Sequence, residues 1–170
     1  MFEHQWELLF DECRQLLCPT DPFLTNAANF AAWIFHRFSD LNWAGFYLAR
    51  PDGLWLGPFQ GKPACTFINF GQGVCGTAAV QLKPIVVPDV EAFPGHIVCD
   101  PASRSEAVFP LIQDSVLWGV FDLDSPVHHR FEPIASLLHR LMRIFVNRVT
   151  MDLPFGISID AVHQKGSSNR

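Results

Sequence analysis

Apolar residues recur every three or four positions in three segments of the chain, which is the period of one face of an α-helix. Two of these segments lie near the beginning, separated by a break at Pro19, and the third lies near the end. We predict helices over residues 3–18, 22–38 and 132–149. Because each helix has one apolar face, all three are expected to cover one face of a common partner.

Between these helices, short apolar runs bounded by turn residues predict β-strands. The triplet 51–53 (PDG) favours a tight reversal, and 113–115 (QDS) joins a second pair of strands. The predicted strands span residues 43–50, 54–60, 66–70, 85–87, 107–112 and 117–123. Residues 71–81 pass from a glycine-rich turn into a short predicted helix, with Cys75 at its start. We therefore predict an α/β fold with a mainly antiparallel central sheet and helices from both chain ends packed on it.

A single domain, residues 1–150, accounts for these elements, because 170 residues are about the length of one domain. Hydrophobic residues make up 49% of the chain and charged residues 17%, below the usual share of about 25%, so the core can be ample. The remaining tail, residues 151–170, has little to bury, and we expect it to be mobile.

Charge and composition exclude several classes of function. A net charge of -5 leaves no basic stripe for nucleic acid. The chain has no basic leader and no uninterrupted apolar run of about 18 residues, so we expect no membrane partner and a cytoplasmic location. Five cysteines without a secretory signal argue for metal, redox or catalytic use. The oligomeric state is left open, with a homodimer as one option.

Three cysteines lie in or before a long loop, residues 88–104, that is punctuated by proline and glycine. Loops of this length in a compact domain are usually functional or disordered. Cys99 lies in this loop, and Cys65 and Cys75 precede it. A cysteine attacks as its thiolate, which positive charge or a helix N-terminus favours. The alternative is a structural zinc site with His96 as fourth ligand, although the spacing matches no CxxC pair.

Three acids follow the same loop. Glu106 opens a strand, and burial would raise its pKa enough to keep a proton near neutral pH. Asp122 and Asp124 alternate with apolar residues, so both carboxylates share one face of a strand and call for a cationic partner such as an ammonium group. The plainer alternative for all three is an exposed acid at a strand edge or end.

Trp43 and Tyr47 also alternate on one predicted strand. They either form an aromatic wall beside a pocket or fill the core.

Several blocks, in this order, together resemble the free methionine-(R)-sulfoxide reductases, which have a GAF-type fold. The blocks are 42–47 (NWAGFY), 57–65 (GPFQGKPAC), 73–79 (GVCGTAA), 87–90 (VPDV), 93–97 (FPGHI) with Cys99 and Asp100, 103–106 (SRSE) and 122–125 (DLDS). The resemblance covers residues 42 to 126 almost continuously. It implies an oxidoreductase that acts on free methionine sulfoxide of R configuration.

By position, the resemblance implies that Cys99 is the nucleophile, Cys65 the principal resolving thiol and Cys75 an auxiliary one. Glu106 would protonate the sulfoxide oxygen. Asp122 and Asp124 would hold the polar end of the substrate, while Trp43, with Tyr47 beside it, would line the methyl side.

Such chemistry needs no metal and no organic cofactor, and thioredoxin or a similar dithiol would act as the reductant. The competing hypothesis is a non-catalytic GAF-type sensor module for a small ligand. A sensor needs the pocket but has no use for three thiols.

Overall fold

The computed structural model describes residues 2–168, and the side chains of residues 5–165. The helices are α1 (Phe2–Leu16), α2 (Phe23–Arg37), α3 (Gly73–Gln81), α4 (Ala135–Arg148) and α5 (Ile159–Ser168). The strands are β1 (Trp43–Arg50), β2 (Gly53–Gly61), β3 (Phe67–Ile68), β4 (Ile85–Val87), β5 (Ser105–Gln113), β6 (Val116–Ser125) and β7 (Ile157–Ser158).

Within the described residues, the strands form one antiparallel sheet in the order β3-β2-β1-β6-β5-β4, and β7 pairs with the beginning of β6. Two hairpins, β1 with β2 and β5 with β6, meet at its centre, where β1 pairs with β6. The predicted α/β fold with a mainly antiparallel sheet is confirmed. The strand predicted over residues 66–70 is shorter than expected.

Helices α1, α2 and α4 cover one face of the sheet, as their apolar faces predict. Four phenylalanines pack against one another in this layer. Phe30 and Phe145 from the helices contact Phe46 and Phe121 from the two central strands. The centroids of the contacting rings lie 4.6 to 6.2 Å apart in edge-to-face and tilted contacts, the geometry that aromatic rings favour. This apolar layer holds the central strands rigid and leaves the opposite face of the sheet for chemistry.

The opposite face is covered only in part, by α3 and α5. None of the described helices is long and apolar enough to cross a membrane. The long loop between β4 and β5 contains one short 3₁₀ turn, Val90–Ala92, and folds over the end of the sheet that α3 leaves open. The loop, α3 and the sheet therefore surround a pocket.

The tail differs from the prediction that it has little to bury. Met151, Ile157 and Val162 are all buried, β7 pairs with β6, and α5 packs on α3. Asp152 also accepts a hydrogen bond from the backbone N–H of Phe23 at 2.7 Å, at the start of α2. Apolar residues do alternate from Met151 to Ile159, but Pro154 and Gly156 interrupt this run, so the pattern does not predict a strand.

Candidate functional site

The pocket holds about 550 Å³ of space not occupied by protein atoms, part of it open to solvent. Most of the side chains predicted for the site line it: Trp43, Tyr47, Cys75, Cys99, Glu106, Asp122 and Asp124. Cys65, the remaining predicted residue, lies at the edge of the pocket, and its sulfur is bonded to that of Cys99.

Cys65 and Cys99 form a disulfide with 5.6 Å between their Cα atoms. Cys65 follows the end of β2, and its carbonyl accepts a hydrogen bond from the Tyr47 hydroxyl at 3.0 Å. Two loops separated by 34 residues in sequence therefore meet over the pocket. In this oxidised state the two sulfurs are bonded to each other, so a zinc site built on both thiolates is not formed.

Cys75 lies in the first turn of α3 and is only 3% exposed. Its Sγ is 4.0 Å from Oε1 of Glu106. Burial raises the pKa of this thiol well above its usual range, and the acids beside it raise the pKa further. Desolvation thus outweighs the helix N-terminus, which on its own would favour the thiolate.

The register of the sheet explains how the acids meet. Asp124 on β6 is paired with Trp43 on β1 at one side and with Glu106 on β5 at the other. Paired residues of antiparallel strands point to the same face, so these three side chains form one row across the pocket floor. Asp122 shares this face two residues earlier, and Gly45 is its partner on β1.

Burial raises the pKa of Glu106 and of Asp122 well above the usual range, and the Asp124 charge raises both further. Burial also raises the pKa of Asp124 to about 6. The Cys75, Glu106 and Asp122 ligand atoms lie within 4.8 Å of one another, close enough to share either a metal ion or a proton. With no ion bound, burial keeps protons on these groups.

The cation expected beside these acids is missing among the described residues, where no lysine or arginine forms an ion pair with Asp122 or Asp124. His96 Nε2 lies 3.4 Å from Oε2 of Glu106, but burial lowers the pKa of His96 and favours the neutral ring. Oδ1 of Asp122 is buried and accepts no hydrogen bond from the described residues. The floor is therefore rich in carboxyl groups and short of positive charge.

Aromatic rings form the wall beside this floor. Trp43 stacks on Tyr47 and on Phe59, with centroids 5.7 and 5.3 Å apart, and its Nε1 donates to the carbonyl of Lys62 at 3.2 Å. A side chain at Gly45 would overlap Phe59 and come within 2.6 Å of the Trp43 ring. Gly45 thus permits the close approach of Phe59 and the Trp43 ring. The aromatic wall both lines the pocket and forms part of the core.

Sequence reasoning missed a polar group at the pocket rim, formed by Asn42, Lys62, Asp100 and Ser103. Asn42 Nδ2 donates to Oδ2 of Asp100 at 3.1 Å and to the Ser103 hydroxyl at 3.0 Å. Asn42 directly precedes Trp43, and Asp100 directly follows Cys99. Their place next to predicted site residues was the signal that could have identified them. Arg104, which follows Ser103, donates to backbone carbonyls of its own loop.

Comparisons with known proteins agree with this geometry. A GAF domain model matches residues 25–150. The free methionine-R-sulfoxide reductase of Escherichia coli (strain K12) is 49% identical over 116 residues, 68% of this chain and 70% of that protein. The structure of fRMsr of Staphylococcus aureus in its reduced form has a TM-score of 0.80 at 38% identity, covering 84% of this chain and 94% of that one.

The structure of free methionine-R-sulfoxide reductase from Neisseria meningitidis in complex with its substrate has a TM-score of 0.79 at 34% identity, and the match covers 97% of this chain and 92% of that one. The two solved structures share the fold of this chain, and each of the three relatives aligns with more than two thirds of it. The chain therefore belongs to the GAF domain family and, within it, to the free methionine-R-sulfoxide reductases.

Proposed function

We propose that this protein reduces free methionine-(R)-sulfoxide to methionine with Cys99 as the nucleophile. The observation that carries the proposal is the Cys65–Cys99 disulfide at a pocket whose floor holds Glu106 and Asp122. A sensor module needs only the pocket. A reductase also needs a thiol pair that can be oxidised and an acid that can deliver a proton, and both are present together.

The acid-rich floor suits a free amino acid. An ammonium group beside Asp122 and Asp124 would supply the positive charge that the floor lacks, and Oδ1 of Asp122 would gain a hydrogen-bond donor. A methionine inside a protein has an amide in place of the ammonium group. The Trp43 and Tyr47 rings would pack against the apolar part of the substrate.

The reaction then has two steps. The Cys99 thiolate attacks the sulfoxide sulfur while Glu106 protonates the oxygen, so that methionine leaves and Cys99 becomes a sulfenic acid. The Cys65 thiol condenses with the sulfenic acid, which forms the disulfide and releases water. Cys75, buried beside Glu106, is the auxiliary thiol.

Thioredoxin or a similar dithiol would reduce the disulfide by exchange and restore both thiols. We place this cycle in the cytoplasm, where such dithiols keep cysteines reduced.

The test mixes reduced, metal-free protein with one equivalent of free methionine-(R)-sulfoxide and measures methionine and free thiols. The proposal expects methionine release together with the loss of the two thiols that pair in the structure. Controls are the S epimer and N-acetylmethionine-(R)-sulfoxide, which lacks the ammonium group. Binding without loss of thiols would support the sensor hypothesis and contradict the proposal.

The two thiols can be told apart by substitution. Cys99→Ser is expected to release no methionine even in a single turnover. Cys65→Ser is expected to release one methionine per chain and then stop, because the sulfenic acid has lost its principal partner. The opposite pattern would exchange the two roles.

A further inference from the structure

Asp100, the residue after Cys99, links three separate segments around the disulfide. Its Oδ1 accepts a hydrogen bond from the backbone N–H two residues on at 2.9 Å, and its Oδ2 accepts one from Asn42 at 3.1 Å. The Nζ of Lys62 lies 3.4 Å from the same Oδ2. Lys62 belongs to the loop that leads to Cys65, whereas Asn42 is anchored at the start of the sheet.

These contacts form a built junction rather than a loose surface pair. The Asp100 side chain is only 10% exposed, and Asn42 is also held by its hydrogen bond to Ser103. The backbone hydrogen bond from Ala102 and the one from Asn42 lower the pKa of Asp100, so its carboxylate is charged at neutral pH. The Lys62 side chain, 71% exposed, reaches this carboxylate from the solvent side.

We propose that Lys62 and Asp100 are positioning residues that hold the Cys65 loop against the Cys99 loop, so that Cys65 captures the sulfenic acid on Cys99 before it meets another reagent. This rests on the proposed function, because the reductase cycle is what forms that sulfenic acid. In the capture step the S–O bond of Cys99 breaks, the S–S bond forms, and water leaves with the oxygen. No further oxidant is needed.

The reason is one of effective concentration. Two thiols on separate loops react at a rate set by how often the loops meet, and a contact that keeps the loops together raises that rate. None of the junction contacts involves a sulfur atom, so formation of the S–S bond removes no partner from the junction. An exposed ion pair contributes little to folding stability. Its role in loop placement can therefore be tested without a large change in stability.

The test compares Lys62→Gln with Lys62→Arg and Lys83→Gln. Lys62→Gln removes the ammonium group from a largely exposed side chain, so folding is not at risk. Lys62→Arg keeps the charge. Lys83→Gln makes the same change of net charge at an exposed position between α3 and β4, outside the pocket lining.

The first measurement is the partition of the sulfenic acid between Cys65 and added dimedone, read by mass spectrometry as Cys65–Cys99 disulfide against Cys99 adduct. The sulfenic acid is formed by methionine-(R)-sulfoxide in one arm and by one equivalent of hydrogen peroxide in the other, where peroxide transfers one oxygen to the thiolate. The second measurement is the equilibrium of the protein dithiol with glutathione disulfide, which yields the protein disulfide and two molecules of reduced glutathione.

We expect Lys62→Gln to lower both the disulfide share and the glutathione equilibrium constant by about two- to fivefold, the range of exposed ion pairs. Lys62→Arg and Lys83→Gln should match the wild type, and 1 M salt should remove most of the difference. Asp100→Asn should have a larger effect, and adding Lys62→Gln to it should cost nothing more.

Wild-type partition and equilibrium in Lys62→Gln would overturn the positioning role. The peroxide and glutathione measurements need no methionine sulfoxide, so they decide this role even if the sulfoxide arm releases no methionine. A sulfoxide arm that releases no methionine would count against the proposed function alone.

Discussion

Glu106 has the two properties that a proton donor to a sulfoxide needs: it is buried, and it lies among other acids that hold its proton in place. Glu106→Gln keeps the size of the side chain but removes the acid. We expect the single-turnover rate of methionine release to fall about 10²- to 10⁴-fold, the usual contribution of general acid catalysis. Rapid-quench measurement of methionine tests this.

Glu91→Gln is the control, since it makes the same substitution at an exposed glutamate in the loop that precedes β5. Its rate should equal that of the wild type. A Glu106→Gln rate within twofold of the wild type would show that another group delivers the proton.

Asp124 provides a second test at the scale of one residue. Its pKa is raised to about 6 by burial, and an ammonium group beside it would lower that pKa again. Substrate binding near pH 6 should therefore release protons to the buffer. Isothermal titration of the Cys99→Ser variant in buffers of different ionisation enthalpy measures this release.

N-acetylmethionine-(R)-sulfoxide, which lacks the ammonium group, should bind more weakly and release fewer protons. Asp124→Asn should reduce the release for the free amino acid. Equal proton release by both ligands would mean that the ammonium group is not what the acids hold.

At the scale of elements, the site could be predicted where the chain has a period. Strand alternation predicts that Asp122 and Asp124 share one face, and the sheet register agrees. What alternation could not show is that Asp124 is paired with Glu106, because register between strands depends on turns and on packing of the opposite face. Asn42 and Asp100 lie outside any period, so their hydrogen bond could not be predicted.

Helix α5, like the short strand β7 before it, was not predicted from sequence patterns, and it packs on the helix that carries Cys75. Val162 of α5 is fully buried in the layer around α3. Val162→Ala should lower the free energy of unfolding by about 1.5 to 3 kcal/mol, from the lost methyl groups and the cavity that remains. Urea unfolding measures the change.

Val127→Ala makes the same change at a valine that is 45% exposed, so its effect should stay within about 0.5 kcal/mol. If the two variants were equally stable, α5 would not be part of the folded core.

For the whole molecule, the buried acids should make stability depend on pH in an unusual direction. Glu106, Asp122 and Asp124 all have pKa values raised in the folded state, mainly by burial. Such groups stabilise the fold below their unfolded pKa of about 4, and this contribution is lost as pH rises through the folded pKa. His96, whose pKa burial lowers, acts in the opposite direction, but only below about pH 6.5.

Above pH 6.5 the acids dominate, and each one that keeps its proton in the folded state lowers the free energy of unfolding by up to about 1.4 kcal/mol per pH unit. The buried thiols of Cys13 and Cys75, whose pKa values burial also raises, act in the same direction as pH approaches the usual thiol pKa of about 8.5. We therefore expect stability to fall from pH 6.5 to 8.5 in urea unfolding of the oxidised protein. Asp122→Asn should make this slope shallower and raise stability at pH 8.5, because a buried amide has no proton to lose. Asp40→Asn, at an exposed turn, should keep the wild-type slope. An unchanged slope in Asp122→Asn would show that Asp122 is already ionised in the folded protein, and the acid-rich floor would then bind an ammonium group without releasing protons from that residue.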